Sequence, residues 1–166
     1  MQTVGPISLL TPELLAMIGR GVSVIVSSCS HDLTPSVMRA VGSLVSPAGD
    51  RITVFLNRGQ SDQVLRDVAS TGRVAVVFSE PHSHRTVQVK SAHARLREVT
   101  PDEAPALQRY LRAMQGELDR VGFSAEFAAA MLAHRLDDLS AIEFSPEHAY
   151  DQTPGPHAGQ PLRGGA

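Results

Sequence analysis

The residues that decide the fold are 73–96, which read RVAVVFSEPHSHRTVQVKSAHARL. The run 74–78 is continuous, apolar and rich in β-branched side chains, as in strands that are covered on both faces. Turn-forming residues at 80–83 separate it from a second β-type run. The stretch therefore predicts two neighbouring strands joined as a hairpin.

The second run, 85–96, alternates between apolar and polar side chains. Val87 and Val89 point to one side of the predicted strand. Further on, the apolar positions have shifted by one residue, to Ala92, Ala94 and Leu96. Since a period of two cannot slip without an extra residue, we expect a β-bulge near Ser91.

The polar side of the second run carries a basic, amide-bearing row of Arg85, Gln88 and Lys90. On a barrel-like strand, such a row is suited to holding an anionic ligand. A solvated strand face is the alternative interpretation, and the residues alone leave both open.

Composition narrows the function classes. The chain has 166 residues, 42% hydrophobic and 19% charged, which is enough for one globular domain with a core. A formal charge of −2 and an aromatic content of 4% disfavour nucleic acid or an anionic membrane as partner. The single cysteine, Cys29, excludes an internal disulfide and fits a reducing compartment. With no membrane-length apolar run and no secretory signal pattern, we expect a cytoplasmic protein.

The pattern along the chain predicts a mainly β protein with helices, of the α+β class. Helices are expected to begin near Thr11, Ser61, Thr100 and Ser124. Short antiparallel strands joined by hairpins favour a barrel over a doubly wound sheet. Six strands are predicted, at 22–28, 36–45, 52–57, 74–78, 85–96 and 139–145.

The two helices that precede the last predicted strand are expected to be structural rather than catalytic. The first has a regular apolar stripe of Ala104, Leu107, Leu111, Met114 and Leu118. In the second, Phe127 and Met131 are predicted to face inward. We expect one domain over residues 1–150 and a Gly- and Pro-rich tail over 151–166, extended and disordered at its end.

Motifs for catalysis or metal binding are weak. His82, His84 and His93 lie in or near the hairpin without a supporting Cys or carboxylate pattern, so no metal site is predicted. Cys29 and His31 do not form a specific nucleophile motif. There is no phosphate-binding loop and no Gly-x-Gly-x-x-Gly sequence.

Taken together, residues 10–159 resemble the pyridoxamine 5′-phosphate oxidase-like family, the FMN-binding split barrels. The segments that carry the resemblance are 34–39, 52–56 with 61–65, 72–79 with 85–90, and 150–159. The resemblance implies a six-stranded antiparallel split β-barrel with flanking helices. It also implies a homodimer that binds FMN in a groove between its subunits.

In that family the flavin carries the redox chemistry on a small molecule, and the protein positions it. The resemblance implies an FMN-dependent oxidoreductase whose small-molecule substrate is unidentified. A non-catalytic flavin- or haem-binding protein is the alternative, with His82, His84 or His93 as haem ligand, and a deazaflavin is a further alternative cofactor. The third functional hypothesis is a barrel that has lost its ligand and acts through protein contacts. The residues implied in cofactor binding are Arg39, Val54, Phe55, Ser61, Arg85, Gln88 and Lys90.

Two positions depart from the family pattern. Gln63 stands where family members often have a lysine, and Asp62 lies beside it. Ser91 stands where a glycine often follows the strand lysine.

Overall fold

The computed structural model describes residues 9–163, which fold into four α-helices and nine β-strands. The helices are α1 (Pro12–Gly19), α2 (Asp62–Thr71), α3 (Ala104–Asp119) and α4 (Ala125–Met131). The strands are β1 (Ser23–Cys29), β2 (Pro35–Arg39), β3 (Gly42–Val45), β4 (Ile52–Asn57), β5 (Val74–Ser79), β6 (Thr86–Ser91), β7 (Arg95–Glu98), β8 (Leu139–Phe144) and β9 (His148–Asp151).

The strands form two antiparallel sheets, which confirms the α+β class. One sheet has five strands in the order β2-β1-β5-β6-β9, and the other has four in the order β3-β4-β8-β7. The predicted count of six strands was too low. Two of the predicted strands are each divided between the sheets, and β9 was not foreseen.

The first division lies at Ala40 and Val41, inside the strand predicted at 36–45. The Ala40 N–H donates to the Val24 carbonyl of β1, at 3.0 Å, whereas the Val41 N–H donates to the Phe55 carbonyl of β4, at 2.8 Å. The chain therefore leaves the five-stranded sheet and enters the four-stranded sheet between two consecutive residues.

The second division replaces the predicted bulge near Ser91, which was wrong. β6 ends at Ser91, and β7 begins at Arg95 in the other sheet. The intervening Ala94 N–H donates to the Gly72 carbonyl, at 2.8 Å. Gly72 has a φ of +68°, and a Cβ there would stand 2.7 Å from the Ala92 carbonyl oxygen. This crossing explains the one-residue shift of the apolar pattern, because the chain changes sheets.

The main core lies between the two sheets, and α3 adds a second layer. Its Met114 and Leu118 are buried in the main core, while Leu107 packs over the other face of the four-stranded sheet. Leu111, predicted to be in the buried stripe, is only partly buried. The predicted capping box is present, and its Glu103 carboxylate also accepts two hydrogen bonds from the Arg97 guanidinium, at 2.7 and 2.9 Å.

The segment assigned to the tail begins inside β9 and then folds back on it. The Leu162 N–H donates to the Ala149 carbonyl at 2.8 Å, and Leu162 packs against the main core. The expected disordered end falls on residues 164–166, which lie outside the described residues. None of the helices within residues 9–163 combines the length and the apolar character needed to cross a membrane.

Candidate functional site

The outward side of the five-stranded sheet, here called the open face, is the region where the predicted polar row lies. Along β1 and β5, buried residues alternate with half-buried ones, so one side of each strand faces the core and the other is only partly covered. In contrast, all six residues of β4 in the other sheet are buried. The open face therefore presents a strand surface to which a ligand or a partner has access.

The strand register brings Arg39 and Gln88 into one cross-strand row on the open face. Arg39 pairs with Ile25, Ile25 with Val77, and Val77 with Gln88. Tyr150 of β9 completes the row beside Gln88. With three strand spacings between them, the Arg39 and Gln88 backbones are about 14 Å apart.

Lys90 lies at one end of the open face, beside a cavity of about 430 Å³ that we call the basic cavity. Arg73, Cys29, His148 and Glu147 also line it. Lys90 is the only lysine of the chain. Its ammonium group lies 5.0 Å from the centre of the Tyr150 ring, within the range of a cation–π interaction.

The one carboxylate of the basic cavity, that of Glu147, is engaged by other groups. It accepts a hydrogen bond from the Ala92 N–H at 2.6 Å and another from the His93 ring. The Ala92 N–H, and after it the His93 ring, lower the pKa of Glu147. The Glu147 carboxylate therefore does not neutralise Lys90 or Arg73 through an ion pair.

The opposite end of the open face holds a cavity of about 490 Å³, here called the aromatic groove. Arg39 and His84 line it together with apolar residues from the ends of α3 and α4. The rings of Phe123 and Phe127 stack there with their centres 4.8 Å apart. Phe127 is 47% exposed, so the prediction that it faces inward was wrong.

The structure brings three of the seven predicted cofactor residues to the open face: Arg39, Gln88 and Lys90. Arg85 precedes β6 and turns towards α1, where the pKa of Glu13 is lowered first by a hydrogen bond from the Glu13 backbone N–H, then by one from Thr11, and least by the charge of Arg85. Val54 and Phe55 are fully buried in β4, which is paired with β3 and β8 on its two sides. No edge of β4 is therefore left for hydrogen bonds to a flavin ring.

Ser61 is buried at the start of α2, and its hydroxyl has no hydrogen-bond partner among residues 9–163. Nearly two turns further along α2, the Asp67 carboxylate accepts hydrogen bonds from the Gln63 amide, at 2.9 Å, and the Ser36 hydroxyl, at 2.5 Å. Asp67 is only 3% exposed. A buried acid in this position makes the start of α2 a poor fit for a phosphate dianion, although the Ser61 hydroxyl alone would suit it.

Two of the three candidate histidines are engaged by carboxylates. His93 contacts Glu147, and the Nδ1 atom of His82 lies 2.8 Å from Glu117. The ring of His84 makes no hydrogen bond within the described part of the chain. Its side chain lines the aromatic groove.

The group of Glu80, His82 and Glu117 is the only one within residues 9–163 whose side chains are placed to ligate a metal ion. Arg20 and Arg120 lie 2.6 and 3.3 Å from the two carboxylates. A hydrogen bond from Ser83, and next one from Arg20, lower the pKa of Glu80. With both carboxylates already paired to arginine, the group acts as an ion-pair network that ties the β5–β6 turn to α1 and α3.

Sequence reasoning missed Arg73 and the aromatic pair. In the β5–β6 hairpin Ala75 pairs with Lys90, which places Arg73 two residues beyond that pair. Counting cross-strand pairs outward from the predicted turn would have placed Arg73 near Lys90. Phe123 precedes the Ser124 N-cap of α4 and Phe127 lies in its first turn, and no local signal shows that the two rings stack and stay exposed.

No protein-family model matches the sequence, and no curated protein matches it either. Solved structures share its fold. A candidate pyridoxamine 5′-phosphate oxidase from Lactobacillus delbrueckii aligns with a TM-score of 0.53 and 14% identity, over 90% of this chain and 99% of that one. HupZ from Group A Streptococcus aligns with a TM-score of 0.54 and 12% identity, over 90% of this chain and 99% of its own. An F420 reductase aligns more loosely, with a TM-score of 0.49 and 15% identity, over 84% of this chain and 98% of that one.

At such low identities the alignments with TM-scores above 0.5 establish the fold. The chain has the split-barrel architecture of the pyridoxamine 5′-phosphate oxidase-like proteins, as its sequence led us to expect.

Proposed function

We propose that the protein is a homodimeric, FMN-dependent oxidoreductase acting on a small molecule. The observation that carries the proposal is the position of Lys90 and Gln88 on the open face, beside Arg73 and a cavity of about 430 Å³. That volume lies in the range of ordinary cofactor pockets. The similar Lactobacillus structure, a candidate oxidase, supports an oxidoreductase.

The basic cavity suits the phosphate better than the start of α2 does. FMN phosphate is a dianion near neutral pH, and it needs charge-assisted donors with little negative charge nearby. Lys90 and Arg73 supply two cations, and the Gln88 amide lies next along the same strand face. The flavin ring would supply the redox chemistry, while the chain binds the phosphate and orients the ring.

The open face also supports the proposed dimer. Its outward side chains include apolar residues on three neighbouring strands, among them Ile25, Val37 and Val77, and Val37 is 65% exposed. The continuous apolar run 74–78 is typical of a strand covered on both faces, yet residues 9–163 bury only one side of it and leave the other half-buried. A second copy on the open face would cover the other and close a shared groove; stable dimers of this kind bury about 2,000 Å² or more.

The first experiment titrates FMN, and separately riboflavin, into the wild type and into Lys90→Ala. Losing one charged hydrogen bond removes about 1.5–3 kcal/mol, so the variant should bind FMN roughly tenfold to a hundredfold more weakly. Riboflavin lacks the phosphate, so its affinity should not change. Arg112→Ala, which removes a charge exposed on α3, is the matched control and should affect neither ligand.

Equal losses for both ligands would place Lys90 at the ring, and no loss for either would contradict the site. The single lysine gives an independent readout. Saturating FMN should protect Lys90 from acetylation, as followed by mass spectrometry of the peptide, and riboflavin should protect it less. Protection by neither ligand would count against flavin binding at the basic cavity.

Haem binding is the second candidate, favoured by one observation. His84 leaves its ring without a hydrogen bond within residues 9–163, and it lines a largely apolar cavity of about 490 Å³. Haem iron commonly takes a histidine ligand. A Soret band in protein titrated with haemin, lost in His84→Ala and kept in His31→Ala, would support this function; a yellow protein without a Soret band would support the flavin.

A further inference from the structure

We infer that the aromatic groove is a second ligand site, which takes a planar, mainly apolar small molecule carrying an anionic group. It is separate from the basic cavity. Ser23 of β1 lines the groove and Ser27 lines the basic cavity, so the two lie about 13 Å apart along one strand.

The shape of the groove favours a planar apolar body. Met114 and Leu118 form a buried floor, with exposures of 1% and 8%. Phe123 and Phe127 form a wall, and each is 47% exposed although the two rings stack on each other. A third flat group that covers these exposed rings and the apolar floor would be stabilised by burial of apolar surface and by stacking.

The charge of the groove favours an anion. Arg39 and His84 line it, and no carboxylate does among the residues of the described chain. The Arg39 guanidinium donates to the Ser23 hydroxyl at 2.8 Å, its only hydrogen bond to the described chain. Since a guanidinium carries five N–H donors, most of them are left to meet a carboxylate or a similar group.

The size of the groove favours a small molecule over a peptide or a second subunit. A cavity of about 490 Å³ is in the range of small-molecule sites. The described part of the C-terminal tail packs along β9, at the far side of the sheet from Arg39. If the protein is a flavin enzyme, as proposed above, the occupant of the groove is its substrate. The binding of such a molecule in the groove does not depend on that proposal.

The test compares two ligands of nearly the same shape, 2-naphthoate and the neutral 2-naphthalenemethanol, by calorimetric titration of the full-length protein. The wild type should bind the acid more tightly. Arg39→Gln should weaken the acid roughly tenfold and leave the alcohol unchanged. Phe127→Ala should weaken both ligands, and because its ring is 47% exposed the variant should remain folded.

Two control variants match these changes elsewhere on the surface. Arg112→Gln removes a charge on α3, and Leu33→Ala removes an apolar side chain that is 67% exposed. Neither should alter binding of the acid or the alcohol. Lys90→Ala should also leave both unchanged, so that failure of the flavin site and failure of the groove are seen separately.

Three outcomes would overturn the inference. Equal affinities for the acid and the alcohol would remove the role of Arg39. A loss of FMN affinity in Arg39→Gln to match the loss of 2-naphthoate would make the groove part of the flavin site. Dissociation of a dimer by Phe127→Ala, seen by light scattering, would make the groove a subunit interface.

One further outcome would support the inference. A haemin complex that depends on both His84 and Arg39 would identify haem as the planar anion.

Discussion

The two sheets use similar apolar strands but are covered differently. In the four-stranded sheet, β4 is buried along its whole length, because the main core lies on one side and α3 on the other. In the five-stranded sheet, β1 and β5 are buried on one side only. The candidate ligand residues lie on the half-buried side of the five-stranded sheet, so in this fold the less covered side is the one available for binding.

The difference also separates residues that hold the fold from residues that serve a ligand. Leu107 of α3 fills the space above Gly42, where an added Cβ would stand 2.6 Å from the Leu107 Cδ2 atom. On the open face, the Lys90 and Val37 side chains are exposed. Substitutions under α3 in the four-stranded sheet should therefore lower stability and spare binding. Substitutions on the open face should lower binding and spare the stability of the isolated chain.

The largest effect is expected where the helix covers the four-stranded sheet. Leu107→Ala removes a side chain that is 2% exposed and leaves a cavity, so the free energy of unfolding should fall by about 2–5 kcal/mol. Urea denaturation measures the change. Because Leu107 lies away from the open face, flavin affinity should be preserved under conditions where the variant is folded. A loss of affinity in folded protein would break the comparison.

An intermediate effect is expected where the chain crosses between the sheets. Gly72→Ala would place a Cβ 2.7 Å from the Ala92 carbonyl oxygen at a φ of +68°. The strain should cost about 1–3 kcal/mol in thermal or urea unfolding. Gly116→Ala is the control, because nothing lies within 4 Å of its added Cβ in α3. That change should instead stabilise the protein by about 0.5–1 kcal/mol.

The smallest effect on stability is expected on the open face itself. Val37→Glu changes a side chain that is 65% exposed, so the unfolding free energy of the isolated chain should change by no more than about 0.5 kcal/mol. If a second copy covers this face, the same change should convert a dimer to a monomer in light scattering. Gln108→Glu, on the exposed side of α3, adds the same charge and should leave assembly intact. A dimer that survives Val37→Glu would contradict our placement of the interface.

Much of the fold was readable from periodicity. The hairpin of β5 and β6, the capping box before α3 and the antiparallel barrel class all follow from residues close together in the chain. The crossings at Ala40–Val41 and at 92–94 were missed, because a strand that changes sheets keeps its β-type residues and only its distant partners change. The exposure of Phe127 was missed for a similar reason, since it depends on where α4 lies against α3.

The candidate site was readable only in part. Gln88 and Lys90 share a face because alternation along one strand is local. Arg39 reaches the same face through the register of three successive strand pairings, which no single segment specifies. Arg85 lies apart from these residues because the turn before β6 points it towards α1, and Asp67 was overlooked because its two partners come from different elements.

The place of β4 in its sheet has a consequence for how the protein is made. β4 pairs with β3, which precedes it closely, and with β8, which is encoded after both α3 and α4. During synthesis one edge of this mostly apolar strand stays unpaired until residues 139–144 have left the ribosome. Such late, long-range pairing slows folding and exposes an aggregation-prone edge in the meantime. The nascent chain is therefore most in need of a chaperone while its helical pair is being translated.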